Sequence, residues 1–230
     1  QVTAHKLQVS GVTLGLTVGK ELRAAVDADT IEHRGKPAFV TPLRFTDSLT
    51  GSGPKITFGG RVFGAAERIS ITLNGRHDRE TKRGALTVDT QKLVFLPTAL
   101  QPVQLFPILG TAMREVDGEV DMLAIFAWDD GAVTWDMELL VDAKLIKADE
   151  FSFENAAEVV RFDSLLPPST PPKQEVNIGL LDVGVRMLNG RLEFQLNNDG
   201  SVLAALRELD FFGGRIKTDQ FTIPENYDGF

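Results

Sequence analysis

The chain has 230 residues, 32 acidic against 24 basic side chains for a formal net charge of -8, and no cysteine. That sign of charge argues against a partner with a phosphate backbone or an anionic surface, and the missing thiols remove disulfides, thiol nucleophiles and zinc–thiolate sites. No apolar run approaches the roughly 20 residues that span a bilayer. A start without Met, directly on a strand-like pattern, reads as a mature product or an excised piece rather than a whole protein.

In chain order, the recurring signal is a two-residue period, which places alternate side chains on opposite faces of a sheet. It runs through Val12, Leu14, Leu16 and Val18, then Leu22, Ala24, Val26 and Ala28, then Ile69, Ile71 and Leu73, and then Leu86 and Val88. It returns in Val133, Trp135, Met137, Leu139 and Val141, and again in Leu192, Phe194 and Leu196. Val202 to Leu209 fits helix or strand, and the neighbouring pattern favours strand.

Two stretches break the alternation. Thr98 to Met113 is too densely apolar for a strand and predicts one short helix near residues 99–113, kinked or split at Pro107. Residues 165–173 hold four prolines and predict an extended connector, either a domain boundary or a crossing that lets the chain rejoin one sheet.

Glycine pairs read as turns at Val18-Gly19, Ser52-Gly53-Pro54, Asn74-Gly75, Asp117-Gly118, Asp130-Gly131, Asn189-Gly190 and Asp199-Gly200. A glycine followed by apolar residues two and four places on, at Gly84, Gly118, Gly131 and Gly190, reads as a strand opening. Gly59-Gly60 and Gly213-Gly214 read as bulges or sharp bends.

Nothing in the sequence assembles a catalytic or metal-binding set. His5, His33 and His77 stand far apart, without a second ligand at metal-motif spacing, and read as surface or turn residues. The acids at Asp27 and Asp29, Asp129 and Asp130, and Asp149 and Glu150 read as solvated. No nucleophile elbow or phosphate-cradling loop is present. The reading calls for no enzyme activity, cofactor or metal. What remains is apolar surface, with 15 Phe against one Tyr and two Trp. Phe has no polar handle and suits a dry face. Such faces either pack on each other in a closed sandwich serving as a binding or scaffold module, or line an open trough. A β-rich enzyme acting on carbohydrate would need two acids converging in a cleft.

Further residues carry a resemblance. Val160 and Phe162, the proline run 167–172, Val176 and Ile178, Leu181, Gly184, Val185 and Met187, then Gly190, Leu192 and Phe194, and the closing Phe212 to Ile216 resemble the YdbH-like family. Upstream, Gly84, Leu86 and Val88, Leu93 and Phe95, Leu100 and Pro102, Leu105 and Pro107, and Val116, Gly118 and Val120 extend the resemblance over about Ile56 to Ile223. The family sits in the AsmA-like group of envelope proteins that carry lipid between the two membranes of Gram-negative bacteria.

The resemblance implies a mainly β fold: a long, strongly curved antiparallel sheet forming an open, taco-like hydrophobic groove. Residues 1–230 would be one groove segment of a larger periplasmic protein anchored in the inner membrane outside this piece. About 14 to 16 strands at ~4.8 Å each would supply on the order of 70 Å of groove. Implied partners are phospholipid and a small outer-membrane lipoprotein added by β-strand pairing, and exposed strand edges imply self-association. By strand parity, Ile69, Ile71, Leu73, Leu86, Val88, Val133, Trp135, Met137, Leu139, Leu192, Phe194 and Leu196 would line the groove.

Overall fold

A computed structural model describes residues 2–4, 7–36, 38, 40–64, 68–109, 113–149, 151–165 and 168–224. The predicted alternation becomes strands throughout. They are β1 (Val2–Ala4), β2 (Leu7–Val18), β3 (Leu22–His33), β4 (Leu43–Ser52), β5 (Lys55–Gly64) and β6 (Ile69–Asp78). Next come β7 (Arg83–Asp89), β8 (Leu93–Phe95), β9 (Glu115–Asp129), β10 (Ala132–Lys147), β11 (Ser152–Phe162) and β12 (Ser164–Leu165). The series ends with β13 (Pro168–Ser169), β14 (Gln174–Asp182), β15 (Arg186–Leu196), β16 (Val202–Phe211), β17 (Gly214–Ile216) and β18 (Phe221–Ile223).

The main sheet has 16 strands in the order β1-β2-β3-β4-β5-β6-β7-β9-β10-β11-β14-β15-β16-β17, with β8 on β9 and β18 on β16. The order never returns to β1, so the sheet is not closed. The fold is therefore mainly β and antiparallel, as expected. By its internal contacts the chain forms two compact units, the first made of Gln1–Leu93, Leu100–Gly110 and Asp121–Trp135, the second of Val94–Ala99, Thr111–Val120 and Asp136–Phe230.

In the first unit, register aligns like with like. One cross-strand row reads Leu16, Ala24, Leu49, Phe58, Gly75, Leu86 and Phe126. The next reads Leu14, Val26, Asp47, Gly60, Leu73, Val88 and Ala124. The opposite face carries hydroxyls, among them Thr50 and Thr57 at 2.8 Å and Ser48, which donates to the carbonyl of Gly59 at 3.3 Å. Cross-strand pairs of this kind are the unit of sheet stabilisation.

In the second unit, a row of small and branched residues forms a tight core. Ala143 pairs with Ala156, Ala156 with Ile178, and Ile178 with Gly190. A Cβ on Gly118 would lie 2.6 Å from the Ala143 Cα, and one on Gly190 would lie 3.0 Å from a Leu209 methyl. Leu209, Ala143, Ala156 and Ile178 are all buried. β11 pairs directly with β14, so the β12–β13 hairpin is an excursion between neighbouring strands. Buried Thr170 ties the return to β15: its N–H donates to the Leu196 carbonyl at 3.0 Å, and its hydroxyl accepts from the Leu196 N–H at 2.9 Å.

Several local expectations are corrected. The short helix expected near 99–113, kinked or split at Pro107, is split there, but its pieces are 3-10 turns, Pro102–Gln104 and Pro107–Leu109, because each proline removes a backbone donor and starts a turn without continuing the previous one. Residues 110–112 of that stretch lie outside the described residues. Gly75, Gly118 and Gly190 do not sit in turns, and Gly118 and Gly190 do not open strands; they lie inside β6, β9 and β15. Their role is close approach: a Cβ on Gly75 would meet the Phe58 ring at 2.1 Å. Gly59 and Gly60 pair regularly with Ser48 and Asp47, so they mark no bulge. Gly213 does form a bend, at φ +77. Val202 to Leu209 is strand, within β16.

Candidate functional site

The predicted lining residues fall on shared faces. On β6 and β7, Ile69, Ile71 and Leu73 pair across to Gly64, Val62 and Gly60, and Leu73 and Leu86 pair with Val88 and Gly75. Val133 and Trp135 alternate along β10, and the Trp135 ring stacks on Phe126 at 6.4 Å and 27°. These seven residues therefore share one face of the first unit. In the second unit, Met137 and Leu139 oppose Phe162 and Val160, while Leu192, Phe194 and Leu196 oppose Leu206, Ala204 and Val202. The chain of pairs from Ala143 to Gly190 puts both groups on one face of that unit.

The two faces differ in cover. In the first unit, Val12, Leu14, Leu16 and Val18 are 57%, 65%, 60% and 76% exposed, and Val133 is 61% exposed. From β3 to β6, most of the same face is only half-buried, with Ala28 and Ile69 among the few side chains fully out of water. A sheet packed on a second layer would bury this whole row. In the second unit, Met137, Ala143, Ala156, Ile178 and Leu180 are buried and form a dry centre.

Sequence parity missed several members of the first face: Phe45, Leu49, Phe58, Phe126, Trp128 and His77. Trp128 is obscured because Leu123 to Trp128 is apolar at both parities. Its indole N–H donates to His77 Nδ1 at 3.0 Å, so His77 sits on a strand within the apolar face rather than on a turn. Its second ring nitrogen is thereby the protonated one. His33 Nδ1 accepts the Gly35 N–H at 3.2 Å, and His5 lies outside the described residues. Asp47 is the polar break in the face, with a buried carboxylate oxygen that has no hydrogen-bond partner.

Asp27 and Asp29 are exposed on β3, and the other two acid clusters contribute to surface pairs. Asp129 and Asp130 hold Arg83 at 3.0 Å and Lys82 at 2.7 Å, and Asp149 bridges to Arg114. Glu150 lies outside the described residues. The Asp129 hydrogen bond and charge raise the Arg83 pKa further. A shallow cavity of 260 Å³ in the second unit has Lys173, Glu193, Phe194 and Arg207 among its walls. Hydrogen bonds of 2.7 and 3.0 Å from Arg207 hold the Glu193 carboxyl below its usual range. Among the described residues, no group of three or more His, Cys, Asp or Glu is placed to hold a metal ion.

The family model of the YdbH-like proteins, described as intermembrane phospholipid transport protein YdbH, matches residues 8–227. The chain belongs to the YdbH-like family. Among curated proteins and solved structures, none matches it. Membership of this family gives the chain a role in phospholipid transport between membranes of the cell envelope. Among the described residues, no helix is long and apolar enough to cross a membrane.

Proposed function

We propose that this YdbH-like chain is a non-enzymatic conduit segment, carrying phospholipid acyl chains along its apolar sheet faces. The observation that carries the reading is the uncovered face of the first unit, where Leu14 and Val18 remain 65% and 76% exposed. Exposing a methylene to water costs about 0.8 kcal/mol, so a chain of ~16 carbons crossing an aqueous gap faces roughly 13 kcal/mol. A continuous apolar surface removes most of that barrier with no reaction and no cofactor.

In this reading residues 1–230 form one groove segment of a longer periplasmic protein anchored in the inner membrane, and the twelve residues chosen by parity line the lipid path. Strand edges supply its protein contacts. β1 pairs only with residues 7–9 of β2, which leaves residues 10–18 with a neighbour on the β3 side alone among the described residues. Such an edge favours strand addition, whether by a small outer-membrane lipoprotein or by a second copy of the chain.

Alternate positions of one strand provide the test. A photo-crosslinking residue placed in turn at Ile71, Thr72, Leu73 and Asn74 samples both faces of β6. Lipid adducts at 71 and 73 and none at 72 and 74 are expected. Equal labelling at all four, or none at any, would overturn the conduit.

A further inference from the structure

We infer that Asp47 is a recognition point for the primary ammonium group of a phospholipid head group, so that the first unit selects amine-bearing lipids. The inference rests on the transport reading and deepens it.

Asp47 occupies an apolar slot. On β4 the same face carries Phe45 and Leu49, and across the sheet Asp47 pairs with Val26 on one side and Gly60 on the other. Beyond Gly60 the row continues through Leu73 and Val88. Register thus surrounds a carboxylate with hydrocarbon. Its Oδ1 is buried without a hydrogen-bond partner. Asp47 as a whole is only half-buried, so a donor from outside the chain can approach the rest of its carboxylate.

The chain also keeps its own side chains away. Gly60 faces Asp47, and a Cβ there would lie 2.7 Å from the Thr46 carbonyl oxygen and 3.0 Å from the Asp47 Cβ. No larger residue fits opposite, so β5 can neither cover the carboxylate nor pair with it from that position. Across β4, β5 and β6, the other titratable group on this face is His77, whose Nδ1 is taken by Trp128. Any partner of this carboxylate must be a hydrogen-bond donor, and a charge-assisted bond from a cation is the strongest kind. A primary ammonium offers three N–H donors. A quaternary ammonium offers none, and an anionic head group is repelled.

The experiment loads the purified 230-residue chain from vesicles containing equal amounts of phosphatidylethanolamine, phosphatidylcholine and phosphatidylglycerol, re-isolates the protein and quantifies each lipid by mass spectrometry. The wild type is expected to hold the ethanolamine lipid about threefold or more over either competitor. Asp47→Asn, which keeps the shape and loses the charge, and Asp47→Leu, which completes the apolar row, should both bring the three lipids close to the vesicle ratio while total lipid stays within about twofold. Equal loading of the three lipids by the wild type, or an ethanolamine preference that survives both substitutions, overturns the role of Asp47 and leaves the conduit standing. A wild type that takes up no lipid overturns both.

Discussion

Replacing Leu14 and Leu16 together by Ser separates a lipid-lining face from a protein core. Both lie on β2 and are 65% and 60% exposed, so folding removes only a third or so of each from water. A fully buried Leu contributes about 1.5–3 kcal/mol; the exposed fraction reduces this to about 0.5–1 kcal/mol each, and the double variant should lose about 1–2 kcal/mol. Leu105, in the same unit and 2% exposed, is the contrast. Leu105→Ala should cost about 2–5 kcal/mol, because it removes transfer energy and opens a cavity. Both tryptophans, Trp128 and Trp135, belong to the first unit, so urea unfolding of lipid-free protein followed by Trp fluorescence reads the relevant transition. Phospholipid bound per chain is the second readout, and it should fall severalfold in the Leu14→Ser/Leu16→Ser protein. Thr13→Val and Thr17→Val, on the opposite face, should leave it unchanged. A loss of more than about 3 kcal/mol in the double Ser variant, or full lipid loading despite it, would refute the reasoning.

Two further outcomes test the packing and the charge. Gly75→Ala places a methyl within 2.1 Å of the Phe58 ring and should cost about 1–3 kcal/mol by overpacking. In a Phe58→Ala background the same change should cost far less, a coupling that a double-mutant cycle in urea reads directly and that additive effects would contradict. Arg207 depresses the Glu193 pKa below its ordinary 4.5, so its contribution to folding is fully present above that value and is lost as pH falls through the lower folded-state value. The wild type should therefore lose thermal stability below about pH 4.5 more steeply than Glu193→Gln, and parallel acid limbs would rule out this ion pair as a source of the acid sensitivity.

The strands and their parity were legible because one side of each strand meets water. Ile69, Ile71 and Leu73 alternate with Ser70, Thr72 and Asn74, and the backbone follows that division. Glycine was harder to read. A turn and a close approach both demand a missing side chain, and only the fold shows that Gly75 lies under Phe58 and Gly118 against Ala143. Residues 99–113 misled because a dense apolar run with early proline has the same sequence signature in a helix as in two short turns. There the decisive contact is distant: the Leu105 carbonyl accepts the N–H of Thr41 at 2.8 Å. Asp47 had a visible signal, an acid in the apolar phase of Leu43, Phe45 and Leu49, but its lack of a partner belongs to the sheet.

The hairpin tips of the first unit bear on the proposed lipid path. At the β6–β7 and β9–β10 turns, Lys82 meets Asp130 and Arg83 meets Asp129, each pair well exposed. Exposed pairs contribute little to stability, on the order of 0–1 kcal/mol, so stability does not account for them. Two residues inward from this charged end, Trp128 lies over Gly84 with its N–H on His77, and Phe126 is the cross-strand partner of Leu86. The gradient from ion pairs through an amphipathic indole to bare hydrocarbon is the one a phospholipid itself presents between head group and tail. The Phe58 ring covers Gly75 and the Trp128 ring covers Gly84, each from the neighbouring strand, so two gaps in this face are filled from within the sheet. The sheet is stabilised along its ladders and cross-strand pairs, so under the proposed conduit role one acyl chain could replace another on the apolar surface without unfolding.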